Sequence, residues 1–521
     1  MNLEQYLHEW NGEKDMTNVK IDDTLLSKYD KILVYGAGAA GSVFLRFLST
    51  ISFDKNKVVV WDMKWEKIKY RHGFKVTMPD FDNKIGNNTL VVIALMGSEN
   101  APLANELQKK FLDEGYKNVI FFSETFGLKV MYENEFEGKE GYADFTYQED
   151  IDFSHMTSLV KPIAFYLPQF HEIPENDEWW GKGFTEWVNV KKARPRYKGH
   201  YQPREPHDYL GYYDLSDVDV IRKQANLAKS HGIYGWSMYY YWFSGKTLLT
   251  KPIDLLLENK DIDIKFCLTW CNHSWTKSWV GDSQKELIKC EYLPNDPEKF
   301  IDDIKKYMVD DRYIKIDGKP LISVYWVHEM PNAKDIVARW RKRAIEIGIG
   351  DLFILSLIKP YTLSEMGLQD VFDAETEFAS WQYALFSGRV TQLKSIDEIL
   401  VARLITYYSD LVKYYKHVIE MGDYKSYLSC LGGFDNTPRY ETNSSIHDFQ
   451  FSLKDYYDMV KFVTEETIAR GREFMFVFAW NEWAESVYLE PDKKFGYALI
   501  NTFSKALHGL PLQYSKGECN D

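Results

Sequence analysis

The sequence predicts an α/β protein in two parts: a C-terminal (β/α)8 TIM-like barrel preceded by a smaller Rossmann-like parallel-sheet domain. Three observations carry this. A chain of 521 residues exceeds what one compact core supports. A glycine-rich turn separates a strand-like from a helix-like run near the N-terminus. From Lys161 onward, eight apolar strand-like segments alternate with helical patterns.

The first domain is read over residues 1–130. After a short helix, Ile32–Tyr35 is a strand-like run, and Gly36-Ala-Gly38-Ala-Ala-Gly41 follows directly, ahead of the helix-like SVFLRFL. A second run, VVVWD, ends at Asp62, and TLVVIAL (89–95) and VIFFS (119–123) continue the sheet. Strand, glycine turn, helix, strand and then an acid about twenty residues on is the dinucleotide-binding arrangement. Gly36, Gly38 and Gly41 would let backbone amides approach a phosphate at the helix N-terminus, with Asp62 facing a ribose. The same turn equally serves plain strand–helix packing. A nucleotide or nucleotide sugar is therefore one of two readings for this domain.

Residues 131–158 turn polar and acidic without sustained periodicity, which reads as a linker or irregular strap. The barrel is expected over 159–521. Its strands are PIAFYLP, YGWSMYYYW, IKFCLTW, PLISVYW, LFILSLI, DAETEF, YLSCLGG and FMFVFAW, with helices such as DVDVIRKQANLAKSHG and AKDIVARWRKRAIEIG between them. Alternation of this kind demands parallel pairing and right-handed crossovers. The largest insertion, roughly 384–428, has a core (DEILVARLITYYSDLVKYYKHVIEM) expected to be helical.

Composition limits the chemistry. The net charge is −14, from 77 acids against 63 bases without a Lys/Arg block, which argues against a nucleic-acid partner. No stretch approaches the roughly 20 apolar residues of a membrane-spanning helix, and the N-terminus lacks an apolar signal region. A cytoplasmic protein is expected, with peripheral membrane association left open through a lipid-linked glycan acceptor. The five cysteines are odd in number and lack metal-site spacing, so they read as reduced thiols, and no metal is expected.

Active sites of such barrels lie at the C-terminal ends of the strands. Those ends carry Tyr166 and His171, then Glu186 and Trp187 in the following loop, Tyr239, Tyr241 and Trp242, and Trp270, Asn272, His273 and Trp275. The later strands add Tyr325, Glu375, Asp435 with Arg439, and finally Asn481, Glu482, Trp483 and Glu485. Aromatic rings edged by acids and amides suit a sugar, which has apolar faces and a hydroxyl rim. Taken singly, each ring is as readily packing, Glu186 a cap or ion-pair member, and Asp435 a turn residue. Glu482 and Glu485 differ, because an apolar strand delivers both to the rim. Along an extended strand the two would face apart; in a helical turn, positions i and i+3 become neighbours. Two carboxyls on one sugar are what glycosyl transfer requires.

The motifs AFYLPQFHEIPENDEWWGKGFTEWVNV (164–190), YYYWFSGK (239–246), LTWCNHSW (268–275) and AWNEWAESVYLEPD (479–492) resemble the WbsX-type glycosyltransferases of surface-polysaccharide loci. More distantly, they resemble the endo-α-mannosidases of glycoside hydrolase family 99. The resemblance covers about residues 160–510. It implies that Glu482 is the base for a sugar 2-hydroxyl, that Glu485 is the acid/base at the glycosidic oxygen, and that no metal or cofactor serves the barrel chemistry. The sequence departs at Ala484, where the hydrolases usually carry His. Three expectations follow: a retaining transferase of O-antigen or capsule type with a nucleotide-sugar donor, an endo-acting α-mannosidase, or a non-catalytic sugar-binding protein. The intact glutamate pair argues against the last.

Overall fold

A computed structural model describes residues 24–50, 54–86, 88–95, 101–122, 129–132, 141–277, 282–358, 362–377, 390–395, 397, 400–421, 426–440 and 444–512. It forms two compact units. The first comprises 1–130 together with 361–370 and 382–392, and the second holds the remainder.

In the first unit, β1 (Lys31–Tyr35), β2 (Val58–Trp61), β3 (Tyr70–Arg71), β4 (Phe74–Thr77), β5 (Thr89–Ala94) and β6 (Asn118–Phe122) form one sheet ordered β3-β4-β2-β1-β5-β6. All neighbours are parallel except the β3–β4 hairpin, which the sequence reading did not include. Helices Ala39–Thr50 and Ala101–Asp113 belong to the same unit. Leu33, Tyr35, Trp61, Val91, Ile93, Leu107, Phe111 and Tyr116 build a core. All six residues of β5 are buried, as a parallel strand covered on both faces requires.

The second unit is a nearly closed barrel of eight parallel strands: β7 (Lys161–Tyr166), β8 (Gly235–Phe243), β9 (Lys265–Trp270), β10 (Lys319–Val324), β11 (Phe353–Ile358), β12 (Ala374–Glu377), β13 (Ser429–Leu431) and β14 (Phe474–Phe478). Their order, β12-β11-β10-β9-β8-β7-β14-β13, follows the chain around the ring. The eight expected segments supply these eight strands. Between β12 and β13 a single parallel bridge, Thr376 to Tyr427, joins the ends, and Thr376 Oγ1 donates to the Tyr427 carbonyl at 2.8 Å. Inside, Phe165 stacks on Phe476 with centroids 5.7 Å apart, and Ser237 bonds Thr269 at 2.7 Å.

Successive residues of a strand point to opposite faces, and β8 shows the consequence. Trp236, Tyr240 and Trp242 pack outward, Tyr240 and Trp242 against Phe300 of the helix Asp296–Met308, while Tyr239 and Tyr241 point into the mouth. The insertion corrects the expected long helix, because Leu400–Tyr407 is a strand pairing in parallel with Ser445–Phe449 before the helix Tyr408–Met421 begins. Val401, Ile405, Thr406 and Tyr407 are β-branched or aromatic, and packing with Leu393, Ile446 and Phe449 overrides the neighbouring helical pattern. Residues 384–389 of the predicted insertion lie outside the described residues, as do Cys519 and the N-terminal 23. Residues 141–158 run along the barrel unit, with Gln148 bridged to Gly496 and the Tyr142 hydroxyl donating to Asp448 at 2.8 Å. Among the described residues no helix is long and apolar enough to cross a membrane.

Candidate active site

Strand β14 is wholly buried and ends at the rim. Asn481–Glu482 then pairs antiparallel with Val487–Tyr488, and a 3-10 turn, Trp483–Glu485, joins the two short strands. Ser486 closes the turn at φ 57°, in the left-handed region. The turn resolves the question the spacing left open, since it brings positions three apart to one side.

The two carboxylates converge on one guanidinium. Arg439 Nη2 lies 3.4 Å from Glu482 Oε2, and Arg439 Nη1 donates to Glu485 Oε1. The same Nη2 is 3.4 Å from Glu186 Oε1, and Glu186 is wholly buried. Burial works against the charge of Arg439, but Glu186, Glu485 and Glu482 outweigh it and hold the guanidinium charged. Burial raises the Glu186 carboxyl above the usual range, with Arg439 opposing. Three carboxyls around one cation leave excess negative charge at this centre. Arg439 arrives on a turn after β13, where its N–H bonds the Asn436 carbonyl at 3.0 Å, and the Asp435 N–H donates to the Glu485 carbonyl at 2.9 Å.

Aromatic groups surround this centre. Tyr239 and Tyr325 meet edge to face at 6.2 Å. Burial, then Glu482, pushes the Tyr239 phenol well up; burial, then Glu485, does the same to Tyr325. Both phenols therefore stay protonated as donors. The Tyr241 hydroxyl accepts from Gln169 Nε2 at 2.8 Å, and its ring meets Trp275 at 4.9 Å. His273 stacks on Tyr325 at 5.4 Å. His171 is buried, and burial lowers its pKa, with Asp214 opposing.

Several expected rim residues are placed elsewhere, and alternation or hydrogen bonding explains each correction. The Tyr166 hydroxyl donates to Gln224 at 2.7 Å, outside the barrel. Trp242 and Trp270 pack outward, with Trp242 Nε1 donating to Asp303 at 2.7 Å and Trp270 meeting Trp340 at 5.6 Å. Asn272 is committed to the backbone of Trp326, and Asn481 to that of Leu167. Trp187 donates to the Tyr213 carbonyl at 2.7 Å, and Trp483 to Glu490 at 2.6 Å. Glu375 bonds Ser426 at 3.4 Å and shares a strand face with Glu377, which takes the Tyr415 hydroxyl of the inserted helix. The carboxylate of Asp435, also buried, accepts from Gln202 at 2.7 Å, pairs with His200 at 2.9 Å and caps the Thr437 N–H. Burial opposes its charge, but His200 and Arg204 outweigh this and hold it below the usual carboxylate range.

Sequence reasoning missed the groups that hold the turn from behind. Gln202 Nε2 donates to Ser486 Oγ at 2.8 Å and Arg204 Nη1 to its carbonyl at 3.3 Å, while Glu490 receives Trp483, Gln224 and Tyr213. Glu490 stands inside the quoted 479–492 motif, where an acid between Leu489 and Pro491 was the available signal. Among the described residues no group of three or more His, Cys, Asp or Glu side chains is arranged for a metal ion.

In the first unit, Asp62 is committed to the chain itself, because Oδ2 accepts from the Ala37 N–H and Oδ1 from the Lys64 N–H, each at 2.6 Å. A Cβ on Gly36 would stand 2.2 Å from the Ala94 carbonyl oxygen, and one on Gly41 only 1.8 Å from that of Gly36. Packing accounts for both glycines, whereas a Cβ on Gly38 would meet open space.

A parallel barrel bearing clustered carboxylates in an aromatic mouth has the make-up of a carbohydrate-active enzyme. Comparison with known families makes this specific. The model for glycosyltransferase WbsX matches residues 162–503, and the chain belongs to that family of carbohydrate-active enzymes. Two proteins designated WxcX, from Xanthomonas campestris pv. campestris strains ATCC 33913 and B100, are each 36% identical over 366 residues, covering 67% of this chain and 50% of theirs. The chain thus spans about half the length of these curated relatives. Among solved structures, the GH99 endo-α-mannosidase from Bacteroides thetaiotaomicron is 17% identical with a TM-score of 0.42, covering 67% of this chain and 96% of that one. Its complex with bis-tris-propane gives 15% and 0.44, over 68% and 97%.

Proposed function

We propose that the chain is a retaining glycosyl-transferring enzyme of surface-polysaccharide assembly, in which Glu482 and Glu485 serve one monosaccharide. The observation that carries this reading is their shared guanidinium, since groups within reach of one Arg439 are within reach of one sugar ring. Glu482 removes the proton of the 2-hydroxyl as that oxygen attacks the anomeric carbon. The bond to the leaving oxygen breaks, and Glu485 supplies that oxygen with a proton. The 1,2-anhydro sugar is then opened at the anomeric carbon by an acceptor hydroxyl, which gives its proton to Glu485, while Glu482 returns its proton to the 2-oxygen. Two inversions leave the configuration retained. The phenols of Tyr239 and Tyr325 suit sugar hydroxyls as donors, and Arg439 steadies the carboxylates between steps.

The carboxylate pair also favours a second reading, hydrolysis of α-mannosides, because water opens the same intermediate. Incubation with nucleotide sugars and, separately, with α-mannosides distinguishes the two. Turnover of a donor to an acceptor supports transfer; hydrolysis of the glycoside without donor turnover overturns it. For the first unit the reading is phosphate or nucleotide binding at Gly36–Gly41, supported by the open space at Gly38. Calorimetry across common nucleotides and nucleotide sugars tests it, and silence across the panel reduces the unit to a structural module.

A further inference from the structure

The chain reverses direction directly behind the glutamate pair, and the residue that anchors this reversal has no place in the reaction above. Glu490 is 1% exposed. Its Oε1 receives Gln224 Nε2 at 2.6 Å; its Oε2 receives Trp483 Nε1 at 2.6 Å and the Tyr213 hydroxyl at 2.9 Å. Gln224 is itself oriented, because the Tyr166 hydroxyl donates to its Oε1 and leaves the amide nitrogen facing Glu490. Asn481 Nδ2 donates to Tyr213 at 3.3 Å, so both the entry and the middle of the glutamate-bearing turn meet this one cluster. Trp483 lies between Glu482 and Glu485 in the chain and is wholly buried, with its ring stacked on Tyr488 at 3.8 Å. The indole cannot shift without moving both glutamates.

We propose that Glu490 is a positioning residue for Glu482 and Glu485, holding the turn between them through the Trp483 indole. This rests on the proposed role of the pair. The three partners all donate, so the cluster is built for the ionised carboxylate. A proton on Oε1 would face the Gln224 amide hydrogens, and one on Oε2 would face the Trp483 N–H. Tyr213 alone can reverse its hydroxyl. Protonation therefore weakens the hold on Trp483 or redirects Tyr213. The groups facing Glu490 are Tyr166 of β7, Tyr213 of the loop before the helix Val218–Ser230, Gln224 of that helix, and Trp480 and Trp483 of its own segment. All of these are uncharged, so none of them supplies a cation to oppose burial. Burial accordingly pushes the carboxyl up to about 7, with the donors lowering it only in part. The opposite end of the turn behaves differently, since Asp435, behind Glu485, is held low by His200 and Arg204. One anchor thus titrates near neutrality, and the other stays ionised.

The test follows the indole N–H resonance of Trp483 in the intact protein, identified by its loss in a Trp483→Phe variant, between about pH 5.5 and 8.5. In the native protein the resonance is expected to move through a single transition centred at about 7, and in Glu490→Gln the transition is expected to vanish. Because the first measurement uses the native chain, it holds even if the variant fails to fold. A flat native resonance, or a transition that persists in Glu490→Gln, overturns the proposal. With a turnover assay in hand, Glu490→Gln is expected to lower kcat about 100-fold while KM stays nearly constant, and the acid limb of the kcat profile is expected to disappear. An unchanged acid limb in an active variant contradicts it. If the indole titrates as expected but neither nucleotide sugars nor α-mannosides turn over, the anchoring by Glu490 stands and the catalytic reading of the pair fails.

Discussion

The glycine turn of the first unit and the glutamate turn of the barrel both match a motif, yet their side chains are used in opposite ways. Asp62, which the dinucleotide pattern would aim at a ribose, instead braces its own loop through two backbone amides. Gly36 and Gly41 are required by contacts with neighbouring carbonyls, and only Gly38 faces open space. In the barrel, the glutamate turn is held from behind by Gln202 at the Ser486 hydroxyl and by Arg204 and Asp435 at backbone carbonyls. Glu482 and Glu485 instead direct their carboxylates to a side-chain cation at the mouth. A motif fixes the path of the backbone; which atoms remain for a ligand depends on what the rest of the chain already occupies.

The comparison breaks first at the glutamates. Glu482→Gln and Glu485→Gln are each expected to cost about 100- to 10,000-fold in turnover of whichever donor or glycoside proves active, with circular dichroism unchanged. Equal activity in either variant would place the pair with Asp62, as scaffold. Next is Arg439→Met, which leaves the buried Glu186 without its cation. Chemical denaturation should register a loss of about 3–5 kcal/mol at neutral pH, shrinking in acid as Glu186, already raised by burial, takes a proton.

Glu490 gives a third effect, with a sign fixed by its shift. Its folded pKa is raised, so the native state holds the proton more tightly than the unfolded chain does. The associated stability is fully present below about 4.5 and is lost as pH rises through about 7. Glu490→Gln, which does not titrate, should therefore lack this decline, a difference on the order of 3 kcal/mol between the limbs of the two pH–stability curves. The pH that orients the glutamate turn best is thus the pH at which Glu490 costs the fold most. In the first unit, Gly41→Ala should destabilise by about 1–3 kcal/mol through its clash with Gly36, whereas Gly38→Ala should stay within about 0.5 kcal/mol. If nucleotides bind there, Gly38→Ala should weaken them without moving the melting temperature.

Much of the architecture was legible in the chain because periodicity survives without tertiary knowledge. Most of the eight barrel segments are apolar, short and followed by helical patterns, and each of the eight forms a strand. The 400–407 segment misled because Leu, Ala and Arg between β-branched residues suit a helix locally, and only pairing with Ser445–Phe449 decides otherwise. At the site, the glutamate spacing was legible, but its outcome hung on a 3-10 turn closed by Ser486 at positive φ, which spacing alone does not dictate. Trp242, Trp270 and Tyr166 show the commonest failure. A residue at a strand end can face either way, and only registration against the helices shows which. Glu490 was hidden for a different reason, since a buried anchor and a surface acid look alike in sequence.

In the proposed reaction two carboxyl groups attend one sugar. A crystal of the protein soaked with a mannose-configured iminosugar measures this directly. The expected result is a single ring seated at the mouth with its cationic nitrogen or hydroxyls within hydrogen-bond distance of both Glu482 and Glu485, and with the Arg439 contact to Glu485 loosened. A ring bound away from that mouth, or held by one glutamate while the other remains locked on Arg439, would contradict it.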